Sequence, residues 1–209
     1  DAVNTAVDGN TSRLGRLLAP FAIRYVVVVE SRAPGAPPVA APEALTRALA
    51  SQLDLEPVAG VDRSLTVYRN SSWAPMHTVL PEGMDGAASG IEALVRTDLS
   101  GLEPALTDHD SDGIEAEGAV PDDSEVYVAT NAAPDWRLVV DGEEAPRHDA
   151  FGWANAFRVD DGGEASLRYD TPLRRHVLLA GQLVLWVVAW VVLGNLRSRR
   201  APVTGKHAA

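Results

Sequence analysis

The densest array of ligand-type side chains in this chain is Asp108-His109-Asp110-Ser111-Asp112-Gly113. Carboxylates at alternate positions with glycine at the sixth match the opening of a Ca²⁺-binding loop, in which oxygens at positions 1, 3 and 5 grip the ion. Position 12 should then supply a bidentate glutamate, and it is Ala119. The same letters fit the Asp-x-Asp that holds a metal and a nucleotide diphosphate in sugar-nucleotide transferases, but the nucleotide-binding strand order is missing around them. The competing reading is a solvated acidic loop. Asp108, Asp110 and Asp112 are the candidate metal ligands, for a weak Ca²⁺ site at most, and no cofactor is expected.

The remaining chemistry-bearing residues are scattered. His77, His109, His148, His176 and His207 show no pair at the spacing that a helix or hairpin uses to hold a metal. Ser71, Ser72, Ser100 and Ser124 lie in no Gly-x-Ser-x-Gly elbow, so a serine nucleophile has no support. Cysteine is absent, which removes disulfides, thiolate metal sites and a cysteine nucleophile together. Three tryptophans could stack on sugar rings: Trp73, Trp136 and Trp153, with Asp and Asn neighbours to bond hydroxyls. Trp136 and Trp153 each begin an alternating inward face, which favours core packing. Trp73 precedes Pro75 in a loop and is the better ligand candidate.

These residues must be positioned by the elements around them. Thr11 or Ser12 can cap a short helix running to Ala19, and Pro20 closes it before the apolar run 23–29. A continuous β-branched run suits a strand buried on both faces. A Pro/Ala/Gly-rich linker, 33–42, leads to a helix at 43–53 and a strand at 64–68, giving a small α/β unit over 1–70. Residues 71–123 read as an irregular acidic connection with some strand. From 124 to 172 the pattern is a β meander. Trp136, Leu138 and Val140 alternate with polar or outward positions and meet Asp141-Gly142, a two-residue turn signal. Trp153, Asn155, Phe157 and Val159 alternate in the same way, and the pattern resumes after Gly163 with Ala165, Leu167 and Tyr169. The predicted fold is α+β: a small α/β unit, an antiparallel β-sandwich and a C-terminal transmembrane helix.

Charge is divided along the chain. Residues 1–172 hold 12 arginines and 29 acidic residues, a net of −17, whereas the remainder holds six basic residues and no acid. Nucleic acid is an unsuitable partner for so acidic a body, because phosphate contacts need clustered arginine and lysine. Of the basic residues only Lys206 is lysine, a bias that fits a bacterial genome rich in G and C. The chain begins at Asp1 without methionine or signal peptide, which reads as a segment of a longer protein.

Residues 177–196 run 20 positions without a charge, about 30 Å as a helix and the thickness of a bilayer's hydrocarbon core. Trp186 and Trp190 lie one turn apart, and Arg174-Arg175 and Arg197, Arg199 and Arg200 flank the run. The reading is a membrane helix over 173–198 with a cytoplasmic tail over 199–209. The basic excess after Leu196 puts the acidic body outside the cell membrane.

Asp135-Trp136-Arg137-Leu138-Val139-Val140-Asp141-Gly142, then Phe151-Gly152-Trp153-Ala154-Asn155-Ala156-Phe157 and a final helix ending in arginines, resembles the C-terminus of large polytopic actinobacterial envelope proteins. These are usually described as family 2 glycosyltransferases, and the tryptophan-to-Asp-Gly pattern is also similar to the YfhO family of membrane proteins. The motifs consist of turn and core residues. The resemblance implies a non-catalytic extracytoplasmic portion of a membrane glycosyltransferase-like protein, with the nucleotide-sugar site in another domain and a cell-envelope glycan or lipid-linked sugar as the partner. An anchored binding or scaffolding module is the alternative.

Overall fold

The computed structural model describes residues 2–30, 37, 39–59, 64–84, 86–108, 115–171 and 173–199. It separates into two units, Asp1–Tyr169 and Asp170–Ala209.

The first unit begins with helices α1 (Ala2–Val7) and α2 (Leu14–Leu18), a 3₁₀ turn at Ala19–Phe21 and strand β1 (Tyr25–Val29). Helix α3 (Glu43–Ala50) and strands β2 (Leu55–Pro57) and β3 (Leu65–Asn70) follow. The three strands form an antiparallel sheet in the order β1-β3-β2. The expected strand at 23–29 exists, but it is not buried on both faces. Helices cover one face only, where Val26 and Val28 pack against a core of Leu14, Leu18, Leu49, Leu55 and Tyr68. On the other face Tyr25, Val27 and Val29 remain 48%, 49% and 62% exposed. A β-branched run therefore marked a strand without marking its position at the sheet edge.

The start of α2 also differs from expectation. Arg13 stands at the N-cap, and no side chain of the capping residue bonds to the helix. Thr11 Oγ1 instead accepts from the Arg13 N–H at 3.0 Å. The first helical N–H groups are satisfied from far along the chain. Gln52 Oε1 accepts from Leu14 at 2.8 Å, Asp54 Oδ1 from Gly15 at 3.0 Å and Asp54 Oδ2 from Arg16 at 2.9 Å. A buried helix start needs acceptors for its free N–H groups, and here the β2 approach supplies them.

Next come β4 (His77–Val79), α4 (Ile91–Arg96), β5 (Thr107–Asp108), β6 (Ala116–Val120) and β7 (Ser124–Val128). The rest of the unit is β8 (Trp136–Val140), β9 (Glu143–Glu144), β10 (Arg147–Ala150), β11 (Ala154–Val159) and β12 (Gly163–Tyr169). Two antiparallel sheets result, β10-β11-β7-β4 and β5-β6-β12-β8-β9. Strands from the stretch read as an irregular connection thus enter both sheets: β4 pairs with β7, and β6 with β12. The sheets share one core, with Val126, Val128, Phe157 and Val159 facing Trp136, Leu138, Val140, Ala165 and Leu167. Asp141 and Gly142 have φ of 47° and 93°, and Val140 pairs with Glu143 across them. That is the hairpin turn which Asp-Gly signals.

Strand β11 corrects the simple alternation. Ala154 and Ala156, expected to face water, are fully buried. They join Tyr127, Ala150 and Phe151 in a second core with Ala19, Ala74, Leu80 and Leu99. Small side chains on that face let the irregular layer approach closely, so the β10-β11-β7-β4 sheet is covered on both sides. The Tyr127 hydroxyl, buried beneath this layer, donates to the carbonyl of Pro20.

The second unit contains α5 (Leu173–Arg199), one helix of 27 residues. Among the described residues no helix is long and apolar enough to cross a membrane. The described apolar side chains of α5 are exposed, Trp186 at 68% and Trp190 at 80%.

Candidate functional site

The three sequence-nominated tryptophans occupy different environments. Trp136 is 7% exposed in the sandwich core and meets Tyr169 edge to face, centroids 5.3 Å apart. Trp153, half-buried in the turn before β11, packs against the second core. Its ring stacks on Phe21 at a centroid distance of 4.4 Å and an interplanar angle of 22°. The Trp153 Nε1 is shielded from solvent, with no hydrogen-bond partner among the described residues. Trp73 lies half-buried after β3, and the Arg24 guanidinium carbon sits 4.6 Å from its ring centroid.

Trp73 and Trp153 are therefore both tied to one short segment, 21–25. Phe21 reaches Trp153, and three residues later Arg24 covers Trp73 while lying 5.6 Å from the Tyr25 centroid. Phe21 and Tyr25 keep 43% and 48% of their surface exposed. Pro20 lies within the 3₁₀ turn, which closes with the Ala22 N–H donating to the Ala19 carbonyl, and Ala22 takes a left-handed φ of 52°, which turns the chain between these two contacts. Exposed aromatic faces beside a guanidinium can stack on sugar rings and bond their hydroxyls. Phe21, Arg24 and Tyr25 carried no sign of this in the sequence, because every partner is a long-range contact.

Of the candidate metal ligands, Asp108 ends β5, where its backbone pairs with Ala116. Asp110 and Asp112 lie outside the described residues. Among the described residues no group of three or more His, Cys, Asp and Glu could hold a metal ion.

Two open clefts share Arg158. One of about 690 Å³ is lined by Glu82, Asp122, Asp123 and Glu125, and one of about 510 Å³ by Asp141, Glu143, Glu144 and Asp160. At the first, His148 Nε2 lies 2.9 Å from Glu125 Oε1. Ser124 Oγ, the nearest hydroxyl in sequence, donates to the Pro121 carbonyl at 2.7 Å, so it is not aligned with that imidazole. His77 is 3% exposed within β4.

The Ser100 hydroxyl, donating at 2.7 Å, holds the Asp98 carboxyl below its ordinary value, helped by Arg16. Burial pushes the Tyr127 phenol up. The Glu56 carboxylate raises the already high pKa of Arg69. These are structural ion pairs and a buried hydroxyl rather than an acid and a base poised for proton transfer.

No family model, no curated protein and no solved structure matches this chain.

Proposed function

We propose that this chain is the non-catalytic extracytoplasmic portion and final membrane helix of a glycosyltransferase-like protein acting in cell-envelope polysaccharide or glycolipid assembly. The observation that carries the reading is the sequence 177–196, 20 positions without a charge flanked by arginines. As a helix such a run extends about 30 Å, the thickness of a bilayer's hydrocarbon core. The basic residues beyond Leu196 assign the tail to the cytoplasm, and the acidic body to the outer side. The Phe21-Trp153 and Arg24-Trp73 contacts are the glycan-facing surface in this reading.

Because the chain has no cysteine, topology can be read without background. In intact cells an impermeant maleimide labels Asp122→Cys and spares Ala208→Cys until the membrane is opened. The opposite pattern rejects the orientation, and equal labelling rejects the spanning helix. For the glycan surface, Phe21→Ala and Arg24→Ala should each weaken binding of envelope oligosaccharide to the full chain. Unchanged binding removes this surface from the reading. An anchored scaffolding module is the second reading, favoured by the exposed apolar face of β1.

A further inference from the structure

Strand β1 stands at the end of its sheet, and its pairing identifies which backbone groups are left over. Asn70 donates to the Arg24 carbonyl and Glu30 to the Ser64 carbonyl, both at 2.8 Å. In the antiparallel register Val26 opposes Tyr68 and Val28 opposes Thr66. Bonded and non-bonded pairs alternate along such a ladder, so Val26 and Val28 direct their N–H and C=O groups to β3, as do the Arg24 carbonyl and the Glu30 N–H, while the Glu30 carbonyl accepts from Val39 at 2.6 Å. Tyr25, Val27 and Val29 direct theirs away, toward the open edge, and no described residue accepts or donates there. Natural sheets guard such edges with charge, proline or a bulge. The five residues Tyr-Val-Val-Val-Val contain none of these. Alongside runs an apolar groove of about 460 Å³, lined by Val27, Val29, Val39 and Leu45 among others.

We infer that this edge pairs with the same edge of a second copy, antiparallel and centred on Val27. The argument for a second copy is self-complementarity. With Val27 opposite its own counterpart, Tyr25 falls opposite Val29 and Arg24 falls opposite Glu30, at both ends of the ladder. The three outward residues are the ones that exchange hydrogen bonds in this register. Each gives one N–H and receives one, and the aromatic residue meets a β-branched one, a favourable cross-strand pair. A foreign strand has no reason to carry opposite charges at both of these positions. A one-residue slip would pair inward-directed backbone groups with outward-directed ones and lose the ladder.

The test uses the full chain in detergent. Residues directly opposite in a bonded antiparallel pair have Cα atoms about 5.5 Å apart, within reach of a disulfide. Val27→Cys should therefore form an oxidised dimer several-fold faster than Leu53→Cys, a control whose side chain is 69% exposed. Arg24→Glu alone and Glu30→Arg alone should each weaken association about tenfold in sedimentation. The double variant Arg24→Glu/Glu30→Arg should restore it, and mixing the two single variants should do the same by forming mixed pairs. Cross-linking of Val27→Cys no faster than that of Leu53→Cys overturns the inference. Failure of both the double variant and the mixture to recover overturns it as well, as does an edge that accepts an unrelated extended peptide while the chain stays monomeric.

Discussion

Replacing Asp54 with alanine should destabilise the first unit more than any surface substitution, and the structure sets the size. Asp54 is 1% exposed, and its two oxygens take the N–H groups of Gly15 and Arg16 at 3.0 and 2.9 Å. In Asp54→Ala both donors remain buried at the start of α2 without an acceptor. Each such group costs about 1–3 kcal/mol, and loss of a helix cap alone costs about 1–2 kcal/mol. The expected loss is about 3–4 kcal/mol, a large share of the ~5–15 kcal/mol available to a typical domain. Gly15 is what lets the helix start approach so closely: a Cβ there would lie 2.7 Å from Asp54 Cγ and 2.3 Å from Asn70 Oδ1. Asp54→Asn keeps one acceptor but turns an NH₂ toward the other donor, so it should lose about 2 kcal/mol. Urea unfolding of the full chain, followed by tryptophan fluorescence, measures both. The control is Glu56→Ala, which breaks an exposed ion pair with Arg69 and should leave stability nearly unchanged. An Asp54→Ala loss no greater than the Glu56→Ala loss would refute the capping argument.

Asn155→Leu should cost about 2–4 kcal/mol in the same assay, because the fully buried carboxamide donates to Thr130 and Asn131 and accepts from Ala133 and Arg147. Gly142→Ala should cost about 1 kcal/mol, since φ of 93° disfavours any Cβ. Asp98→Asn should remove a small acid-sensitive increment of stability. The folded carboxyl titrates below its ordinary value of 3.8, so its contribution is complete above that pH and is lost as pH falls through the lower folded value. With the side chain half exposed, the difference from wild type at pH 7 should be under about 1 kcal/mol and vanish in strong acid, as pH-dependent unfolding would report.

Local pattern carried the sequence reading as far as local pattern decides structure. The alternation of Trp136, Leu138 and Val140 and the Asp141-Gly142 turn are set by neighbours in sequence, and β8 and its hairpin follow them. The helix at 43–53 appears as Glu43–Ala50, and the 64–68 strand as Leu65–Asn70. What alternation leaves open is the number of layers that cover a strand. Ala154 and Ala156 look like the outward positions of a two-layer sandwich, and only a third layer from Ala19, Ala74 and Leu99 buries them. Likewise β1 reads as buried because valine runs usually are, while its exposure depends on which side α1 and α3 dock. The candidate surface depends wholly on such docking: Phe21 meets Trp153, and Arg24 meets Trp73, across gaps in sequence that no periodicity spans.

The same long-range contacts explain why the glycan surface and the self-pairing edge can coexist on adjacent residues. Side chains alternate across a strand, and backbone groups alternate along its edges. Within one copy Arg24 turns its guanidinium to Trp73 and its carbonyl to Asn70. Tyr25, Val27 and Val29 have side chains on the uncovered face and backbone groups on the open edge, so they are the ones left for a second molecule. Engaging Arg24 with Glu30 of a second copy would draw its guanidinium from Trp73 and free that ring. Pairing and glycan contact at Trp73 are then coupled. Val27→Pro separates the two effects: it removes an N–H that faces away from β3 and leaves the internal ladder intact. It should abolish self-association while Arg24 stays over Trp73. If oligosaccharide binding at that ring responds to Val27→Pro, the two sites are linked through Arg24, and if it does not, the Arg24-Trp73 surface acts within one copy, independently of pairing.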